Sequence, residues 1–305
     1  MSVRTLATTQ QRQTLLALQR TKERMAANQT RISTGNRITR PSDDPTAAAL
    51  ILDFGNSIHA NEQYLKQADS ALSFLKPTED VVTAAIDQTI RLQELAQRGL
   101  SPTAGATGRA AMVAEVDSIR TSLLSLANTQ SQGKYMFGGT ATLGPQPFSG
   151  PAAGPITYNG DDNTISLDVT STSSVNINIP GQLVFFGSIG GQGSNTDLFQ
   201  AVTDLRDGLA ADNTATIQAA YDHLKLALSN LNQHQADLGG RQAGLLNLKD
   251  MVSGFNVTLQ DLQNTQQDTD YPQAIADYNT DQIIQQATLN TMARSNQTNL
   301  FDYLG

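Results

Sequence analysis

Residues 224–259 read LKLALSNLNQHQADLGGRQAGLLNLKDMVSGFNVTL, and an apolar side chain returns there at every seventh position. The six positions are Leu224, Leu231, Leu238, Leu245, Val252 and Leu259. A heptad repeat keeps one stripe of a helix facing a partner helix. We therefore predict a long helix whose seam packs against residues 60–130 of the same chain. A free zipper for a partner protein is the alternative. Gly239–Gly240 and Gly254 each cost about 1 kcal/mol inside a helix, so we expect a bend there.

The two ends of the chain carry opposite charge. The first 40 residues contain eight Lys or Arg against the single acid Glu23, whereas residues 268–305 contain five Asp against Arg294. Opposite charges on two helical segments favour contact between them. This pattern indicates that the two termini meet, as in a protein that joins other copies or other proteins, and not a pocket for a substrate.

The composition excludes several classes of protein. Beyond the first 40 residues, 12 basic residues stand against 27 acidic ones, which argues against nucleic-acid binding. The basic start lacks the interleaved aromatic residues of a nucleic-acid-binding arm. There is no cysteine, which rules out disulfides and thiolate metal sites. The longest apolar run, Ala47 to Leu52, falls short of the ~20 residues of a membrane span. The apolar run Leu15–Leu18 is likewise too short for a cleaved secretory signal, so export would need another route.

The first helix is expected over residues 1–38, with Leu15, Leu18, Met25 and Ile32 on one face. On this spacing the intervening seam positions, Lys22 and Gln29, are polar, so the seam is weak by itself. The helix should end before Pro41, because a residue that precedes proline avoids helical geometry. We expect the next helix to begin at Pro45, with Asp44 as its N-cap.

That second helix should extend to about Arg98, with a kink or break at Pro77. Residues 99–108, GLSPTAGATG, have the composition of a loop. A third helix is expected to follow and to end near Gly133. From Asp197 onward helical periodicity returns and continues to the end of the chain.

Between the helical parts, residues 143–196 contain nine Gly, five Pro and no Lys or Arg. Two stretches there alternate apolar and polar residues, 165–169 and 175–179, and we predict that both are half-buried strands.

The expected fold class is therefore mainly α: a long antiparallel helical rod or coiled coil formed by both chain ends, with a small β-rich inserted domain. We predict terminal coiled-coil assembly segments at 1–42 and 268–305. A helical rod domain would comprise 43–142 and 197–267, and the β-rich insertion 143–196.

No motif predicts an enzyme, a cofactor or a metal site. The glycine-rich stretch 187–193 lacks the Lys of a phosphate-binding loop. Asp161–Asp162–Asn163 lacks the distal Glu of a calcium loop. His59, His223 and His234 are isolated, so helix-surface positions are expected for them.

Four stretches resemble the bacterial flagellin superfamily, and within it most closely the hook–filament junction proteins, the hook-associated protein three family. Residues 31–38 (RISTGNRI) with 41–45 (PSDDP) resemble the N-terminal signature, and the flanking prolines favour a junction protein over flagellin. Residues 134–140 (KYMFGGT), with Pro147–Phe148 downstream, are similar to the entry into the β domain of the junction proteins. Residues 237–241 (DLGGR) resemble the turn of the long C-terminal helix, and 299–304 (NLFDYL) the C-terminal end. Asp268–Pro272 departs from the family pattern, so Pro272 either begins the last helix or interrupts it.

The resemblance implies a structural adaptor that joins the flagellar hook to the flagellin filament and is exported unfolded through the type III apparatus. Its implied location is the extracellular flagellum. Its implied partners are its own copies in a ring, the hook-side junction protein (hook-associated protein one), flagellin, and an export chaperone on the C-terminal amphipathic region. Terminal segments of this family are disordered in the free subunit and pair only on assembly. A flagellin-type filament subunit is the alternative function.

The candidate interface residues lie at the two chain ends. We expect the segment Arg31–Pro45 to act as a joint between subunits; the alternative is a helical corner with exposed charges worth under ~1 kcal/mol each. Within it, Arg37 and Arg40 could pair with Asp43 and Asp44 or with acids of a neighbour. The full set is Leu15, Leu18, Met25, Arg31, Ile32, Gly35, Arg37, Pro41, Asp43, Asp44, Pro45, Met292, Leu300, Phe301, Tyr303 and Leu304.

Overall fold

The computed structural model describes residues 2–151 and 154–304, with side chains described at Thr9, 12–151 and 154–294. The helices are α1 Ser2–Thr34, α2 Pro45–Leu100, α3 Gly105–Ala127, α4 Leu198–Ala210, α5 Thr214–Gln267 and α6 Tyr271–Leu304. The strands are β1 Gln130–Ser131, β2 Lys134–Tyr135, β3 Phe148–Ser149, β4 Thr157–Tyr158, β5 Ser166–Asp168 and β6 Ser174–Asn176, followed by a π-helical turn at Gln182–Phe186. The expected mainly α fold with paired chain ends and a small β-rich part is confirmed.

The chain forms two compact units. The first, which we call the terminal unit, comprises the residues up to Ala60 and those from Gly254 onward. The second, the central unit, is Asn61–Ser253. The domain boundaries drawn from the sequence remain predictions.

Aspartates cap two helix starts, and the first of these caps, Asp44, was predicted. The Asp44 carboxylate accepts a hydrogen bond from the Ala47 amide at 3.0 Å, and Pro45 is the first residue of α2. At α6, Asp270 accepts from the Gln273 amide at 3.1 Å, so Pro272 lies in the first turn and begins the helix without a break.

Several predicted helix ends and breaks are wrong. Helix α1 ends at Thr34 and not near residue 38, because Gly35 adopts a left-handed conformation with φ +76°. The segment 99–108 is helical at both ends, which leaves Ser101–Ala104 as the turn, and α3 ends at Ala127. Pro77 does not split α2.

The heptad seam of α5 is buried along its whole length. Leu224, Leu231 and Leu238 are 0% exposed, and Leu259 at the far end is only 6% exposed. The helix is uninterrupted through its internal glycines; the bend remains a prediction.

Hydrogen bonds to α2 flank this seam within the central unit. The Gln235 amide donates to Thr83 Oγ1 at 2.9 Å, and the Gln242 amide to Glu79 at 2.8 Å. Intramolecular packing is therefore the observed role of the seam.

The short strands form three antiparallel pairs, β1–β2, β3–β4 and β5–β6. The predicted alternating stretches 165–169 and 175–179 form β5–β6, with Leu167 opposite Val175. The other two pairs and the π-helical turn were not predicted, because two-residue strands carry no periodic signal.

Aromatic rings fill the core beneath these strands. Phe137, Phe148, Phe185 and Phe199 are at most 1% exposed, and their centroids lie 5.2–5.8 Å apart where they meet. The main apolar cluster of the described residues, Ala68 to Leu245, lies wholly within the central unit.

The paired terminal helices as a candidate assembly surface

A backbone tie joins the two chain ends where α1 stops and α6 begins. The Thr269 amide donates to the Gly35 carbonyl at 2.8 Å, and the Arg37 amide donates to the Gln267 carbonyl at 2.7 Å. The Arg37 guanidinium adds a bond to the Gln266 carbonyl at 2.9 Å. The segment predicted as a joint therefore makes contacts within its own chain; a contact with a second subunit remains a prediction.

Tyr271 covers this tie. A methyl group added at Gly35 would lie 2.7 Å from the Tyr271 hydroxyl, and φ is positive there, so only glycine fits without strain. The sequence predicted the left-handed helix end but not its tyrosine cover.

The acidic turn before α2 is held by its own carboxylates. Asp43 accepts from the Arg40 amide at 3.0 Å and from the amide and hydroxyl of Thr39, and these bonds lower the pKa of Asp43. The bond from Ala47 is the main cause that lowers the pKa of Asp44. Arg37 pairs with Asp44 at 3.4 Å, with both side chains partly exposed. Arg40 reaches Asp43 through its backbone amide.

Helix α1 turns a mixed stripe of polar and apolar residues towards α6. The residues that alternate in steps of three and four and are buried or half-buried are Thr14, Leu18, Thr21, Met25, Asn28 and Ile32. Thr21 and Asn28 are only 3% and 7% exposed, whereas Lys22 and Gln29 are exposed. The predicted row Leu18, Met25 and Ile32 lies in the seam, but the predicted seam positions Lys22 and Gln29 are wrong by one residue, because either neighbouring row alternates with that row in steps of three and four.

Helix α6 shows the same pattern. Its buried and half-buried positions are Ala274, Tyr278, Asp281, Gln285, Thr288 and Met292. Asp281 is 6% exposed; Arg24 Nη2 lies 3.0 Å from its Oδ1, and Asn28 Nδ2 3.4 Å from its Oδ2. The seam between the two chain ends thus contains an ion pair and an amide where a stable two-helix seam has Leu or Ile.

Several large apolar side chains of both helices are exposed and lie outside this seam. Their exposed fractions run from 40% to 66%, for Leu15, Leu16, Ile275, Ile283, Ile284 and Leu289. Exposed apolar side chains beside a partly polar seam mark a surface that other molecules cover.

The predicted interface residues fall into three groups. Leu15, Arg37, Pro41, Asp43 and Pro45 are exposed. The half-buried set is Leu18, Met25, Arg31, Ile32, Gly35, Asp44 and Met292. The side chains of Leu300, Phe301, Tyr303 and Leu304 lie outside the described residues.

Sequence reasoning missed other residues of this surface. Asn28, Asp281 and Tyr271 were not singled out, nor were the exposed isoleucines of α6. Spacing in steps of three and four does not single out Asn28, because Gln29 fits the same alternation with Leu18, Met25 and Ile32.

The predicted motif at residues 134–140 has a defined geometry in the central unit. Asp161 accepts from the Thr140 amide at 2.8 Å and the Thr140 hydroxyl at 2.6 Å, and the hydroxyl bond is the main cause that lowers the pKa of Asp161. Gly139 is left-handed at φ +71°, and a side chain there would collide with the Asp161 carbonyl oxygen. Gly139 thus allows the chain to turn against the segment that contains Asp161.

No chemical centre is visible in the described part of the chain. No cluster of three or more His, Asp or Glu that could hold a metal ion occurs among those residues. The described helices include none that is both long and apolar enough to cross a bilayer. A solvent-open groove of about 510 Å³ lies between α1 and α6, lined by charged and polar residues with Ala27 and Ile284.

Models of known protein families match both ends of the chain. The bacterial flagellin N-terminal helical region matches residues 5–142, and the flagellin C-terminal helical region matches residues 222–304. The chain is 26% identical over 288 residues to the flagellar hook-associated protein 3 of Salmonella typhimurium, covering 88% of this chain and 90% of that one. It is 23% identical over 279 residues to flagellin FlaB2 of Treponema pallidum, covering 88% and 87% respectively.

A solved structure shares the fold. The flagellar junction protein FlgL of Legionella pneumophila superposes with a TM-score of 0.60 at 19% identity, covering 73% of this chain and all of that one. Since the N- and C-terminal models match the two ends that pair in space, the chain belongs to the bacterial flagellin family.

Proposed function

We propose that this protein is a structural adaptor that joins the flagellar hook to the flagellin filament. One observation carries the proposal: the paired terminal helices have polar and charged residues in their seam and expose large apolar side chains outside it. Such a pair buries too little apolar area by itself and gains stability when neighbouring molecules cover it. A structural flagellar role fits the family, and the proposal includes no catalytic step.

The higher identity to a hook-associated protein 3, 26% against 23% for flagellin FlaB2 over a similar length, supports the junction role over a filament role. The sequence 41–45, PSDDP, also supports the junction role. Its two prolines constrain the acidic turn between α1 and α2. The proposed partners are further copies in a ring, hook-associated protein one, flagellin and an export chaperone. The proposed location is the extracellular flagellum, reached through the type III apparatus.

A filament subunit of the flagellin type is the second candidate, since flagellin FlaB2 is also similar over 88% of this chain. The two functions differ in self-assembly. Purified flagellin extends filament seeds by itself, whereas an adaptor should bind the hook end and add no length. Elongation of seeds by this protein alone would favour the filament subunit.

The genetic test is a null strain with rescue. We expect the null strain to build hooks and to release flagellin into the medium, and the intact gene to restore filaments. A rescue copy with Ile283→Gln and Leu289→Gln should fail, because both residues lie on the exposed apolar surface. A matched copy with Gln282→Ala and Gln286→Ala, at exposed positions of the same helix, should restore filaments. Normal filaments in the null strain would contradict the adaptor function.

A further inference from the structure

Asp281 is a carboxylate buried in the seam between two helices. At 6% exposure it has lost most of its water, and the described partners of its two oxygens are Arg24 at 3.0 Å and Asn28 at 3.4 Å. Both partners belong to α1. The Arg24 side chain is 59% exposed, so its guanidinium reaches the acid from the edge of the seam. The charge of Asp281 is therefore compensated only while α6 lies against α1.

The rest of the seam distinguishes poorly between partners. Apart from Asn28 and Asp281, its positions are all uncharged: Thr14, Leu18, Thr21, Met25 and Ile32 in α1, and Ala274, Tyr278, Gln285, Thr288 and Met292 in α6. Uncharged residues pack acceptably against copies of themselves. In an assembly where many copies meet, α6 could therefore pair with α6 of another chain, and α1 with another α1.

Arg24, Asn28 and Asp281 oppose both of these self-pairings. Two α6 helices packed on the same stripe would bury two Asp281 carboxylates with no cation beside them. Two α1 helices would bring two Arg24 side chains together with no carboxylate. A buried charge that lacks its partner is strongly destabilising, and one polar seam residue is enough to fix partner choice in a coiled coil.

We propose that Arg24, Asn28 and Asp281 form a selectivity cluster that makes the N-terminal helix choose the C-terminal helix, and excludes pairing of α6 with α6 of a second copy. The cluster accounts for a buried acid at a position where Leu would pack better. This inference concerns pairing between helices of this chain, and it holds for an adaptor and for a filament subunit alike.

Engineered cysteines can report the pairing, because the chain has no cysteine of its own. Asn28 lies opposite Asp281. Seven residues earlier in α1 is Thr21, and seven residues later in α6 is Thr288; both are seam positions, so we expect them to lie opposite each other. A Thr21→Cys/Thr288→Cys chain should therefore form a disulfide within one molecule. Thr288→Cys alone can form a disulfide only between two molecules, which reports α6–α6 pairing.

The experiment introduces Asp281→Asn, which keeps the side-chain size and removes the charge, into the full-length Thr288→Cys chain. After mild oxidation at a fixed concentration, we expect the disulfide-linked dimer to increase on the order of tenfold over the parent chain. In the Thr21→Cys/Thr288→Cys chain the same substitution should lower the share of the intramolecular disulfide. Asp281→Glu keeps the carboxylate, so the amount of disulfide-linked dimer and the share of the intramolecular disulfide should both stay near those of the parent chains.

Asp277→Asn is the matched control, since Asp277 is exposed on the same helix one turn away. It removes the same charge from α6 and should leave the dimer fraction unchanged. An unchanged dimer fraction in Asp281→Asn, or an equal increase in Asp277→Asn, would overturn the proposal. Loss of the intramolecular disulfide with no gain of dimer would overturn it as well, since the cluster would then only stabilise α1 on α6.

Discussion

Single residues decide the two places where the chain turns most tightly. Gly35 ends α1 beneath Tyr271, and Gly139 turns the segment 134–140 against Asp161. Both have positive φ, which costs other residues about 1–2 kcal/mol, and at Gly139 a side chain would also meet the backbone oxygen of Asp161.

Gly139→Ala should lower the free energy of unfolding by about 2–5 kcal/mol, because the new methyl group meets a backbone oxygen in addition to the strain of a left-handed alanine. Gly133→Ala is the control: its φ is +77°, but nothing lies within 4 Å of the added carbon. It should cost only about 1–2 kcal/mol. Urea unfolding followed by circular dichroism measures both, and equal losses would refute the steric explanation.

His234 is the residue most suited to a test of pH dependence. Burial lowers its pKa below the usual 6.5, while its Nε2 lies 3.0 Å from the Leu183 carbonyl oxygen of the π-helical turn. The unfolded chain therefore binds a proton more readily than the folded one. Stability should fall as pH decreases through the unfolded pKa towards the lower folded value.

The measurement compares the wild type with His234→Gln in urea at pH 7.5 and 5.5. The wild type should lose more stability between the two conditions, since glutamine can keep the bond to Leu183 without titrating. An identical loss in the variant would assign the pH effect to other groups; Asp197 is not one of them, because burial raises its pKa and its protonation favours the folded state as pH falls.

At the scale of elements, the corner between α1 and α2 is tied to the start of α6 by Arg37. The sequence predicted that Arg37 and Arg40 could both pair with Asp43 and Asp44 or with acids of a neighbour. In the structure the Arg37 guanidinium reaches Gln266 and Asp44, whereas the described hydrogen bonds of Arg40 are made by its backbone amide and carbonyl.

Arg37→Ala should loosen the α5–α6 connection, because the Gln266 carbonyl loses a charged donor. The expected cost is about 1 kcal/mol, since the guanidinium is partly exposed. Exchange of the Thr269 amide, which is bonded to Gly35, should then speed up about fivefold. Arg40→Ala should leave the exchange rate of the Thr269 amide unchanged. Faster exchange in both variants would mean that the loss of a positive charge, and not the loss of the bond to Gln266, causes the effect.

In the whole molecule, the buried apolar core and the exposed apolar side chains of the paired terminal helices belong to different units. The apolar cluster from Ala68 to Leu245 belongs to the central unit, whereas the exposed apolar residues of α1 and α6 belong to the terminal unit. Folding of the central unit should therefore not need the chain ends.

Deletion of residues 1–20, or of 290–305, should leave a helical chain that unfolds cooperatively at nearly the parent temperature. The same deletions should abolish filament formation in the rescue assay, since each removes part of one of the two paired terminal helices. Differential scanning calorimetry reads the first outcome. Loss of the cooperative transition would mean that the chain ends belong to the core of the fold.

The sequence determined the helical elements whose pattern is local. The α5 seam, the Asp44–Pro45 helix start and the strands β5 and β6 were all predicted, because heptad repeats, capping residues and alternation act between residues near in sequence. The pairing of the two chain ends followed from their opposite charge.

Packing between the two helices sets which face of α1 meets α6. The spacing of apolar residues in α1 predicted Lys22 and Gln29 as seam positions, whereas packing buried Thr21 and Asn28, one residue away. Each helix of the terminal unit offers several faces of similar polarity, so the choice depends on what the partner helix presents: Asp281 needs Arg24 and Asn28 beside it. A buried charge is compensated by groups far away in sequence, and its partners become visible only when the chain is folded.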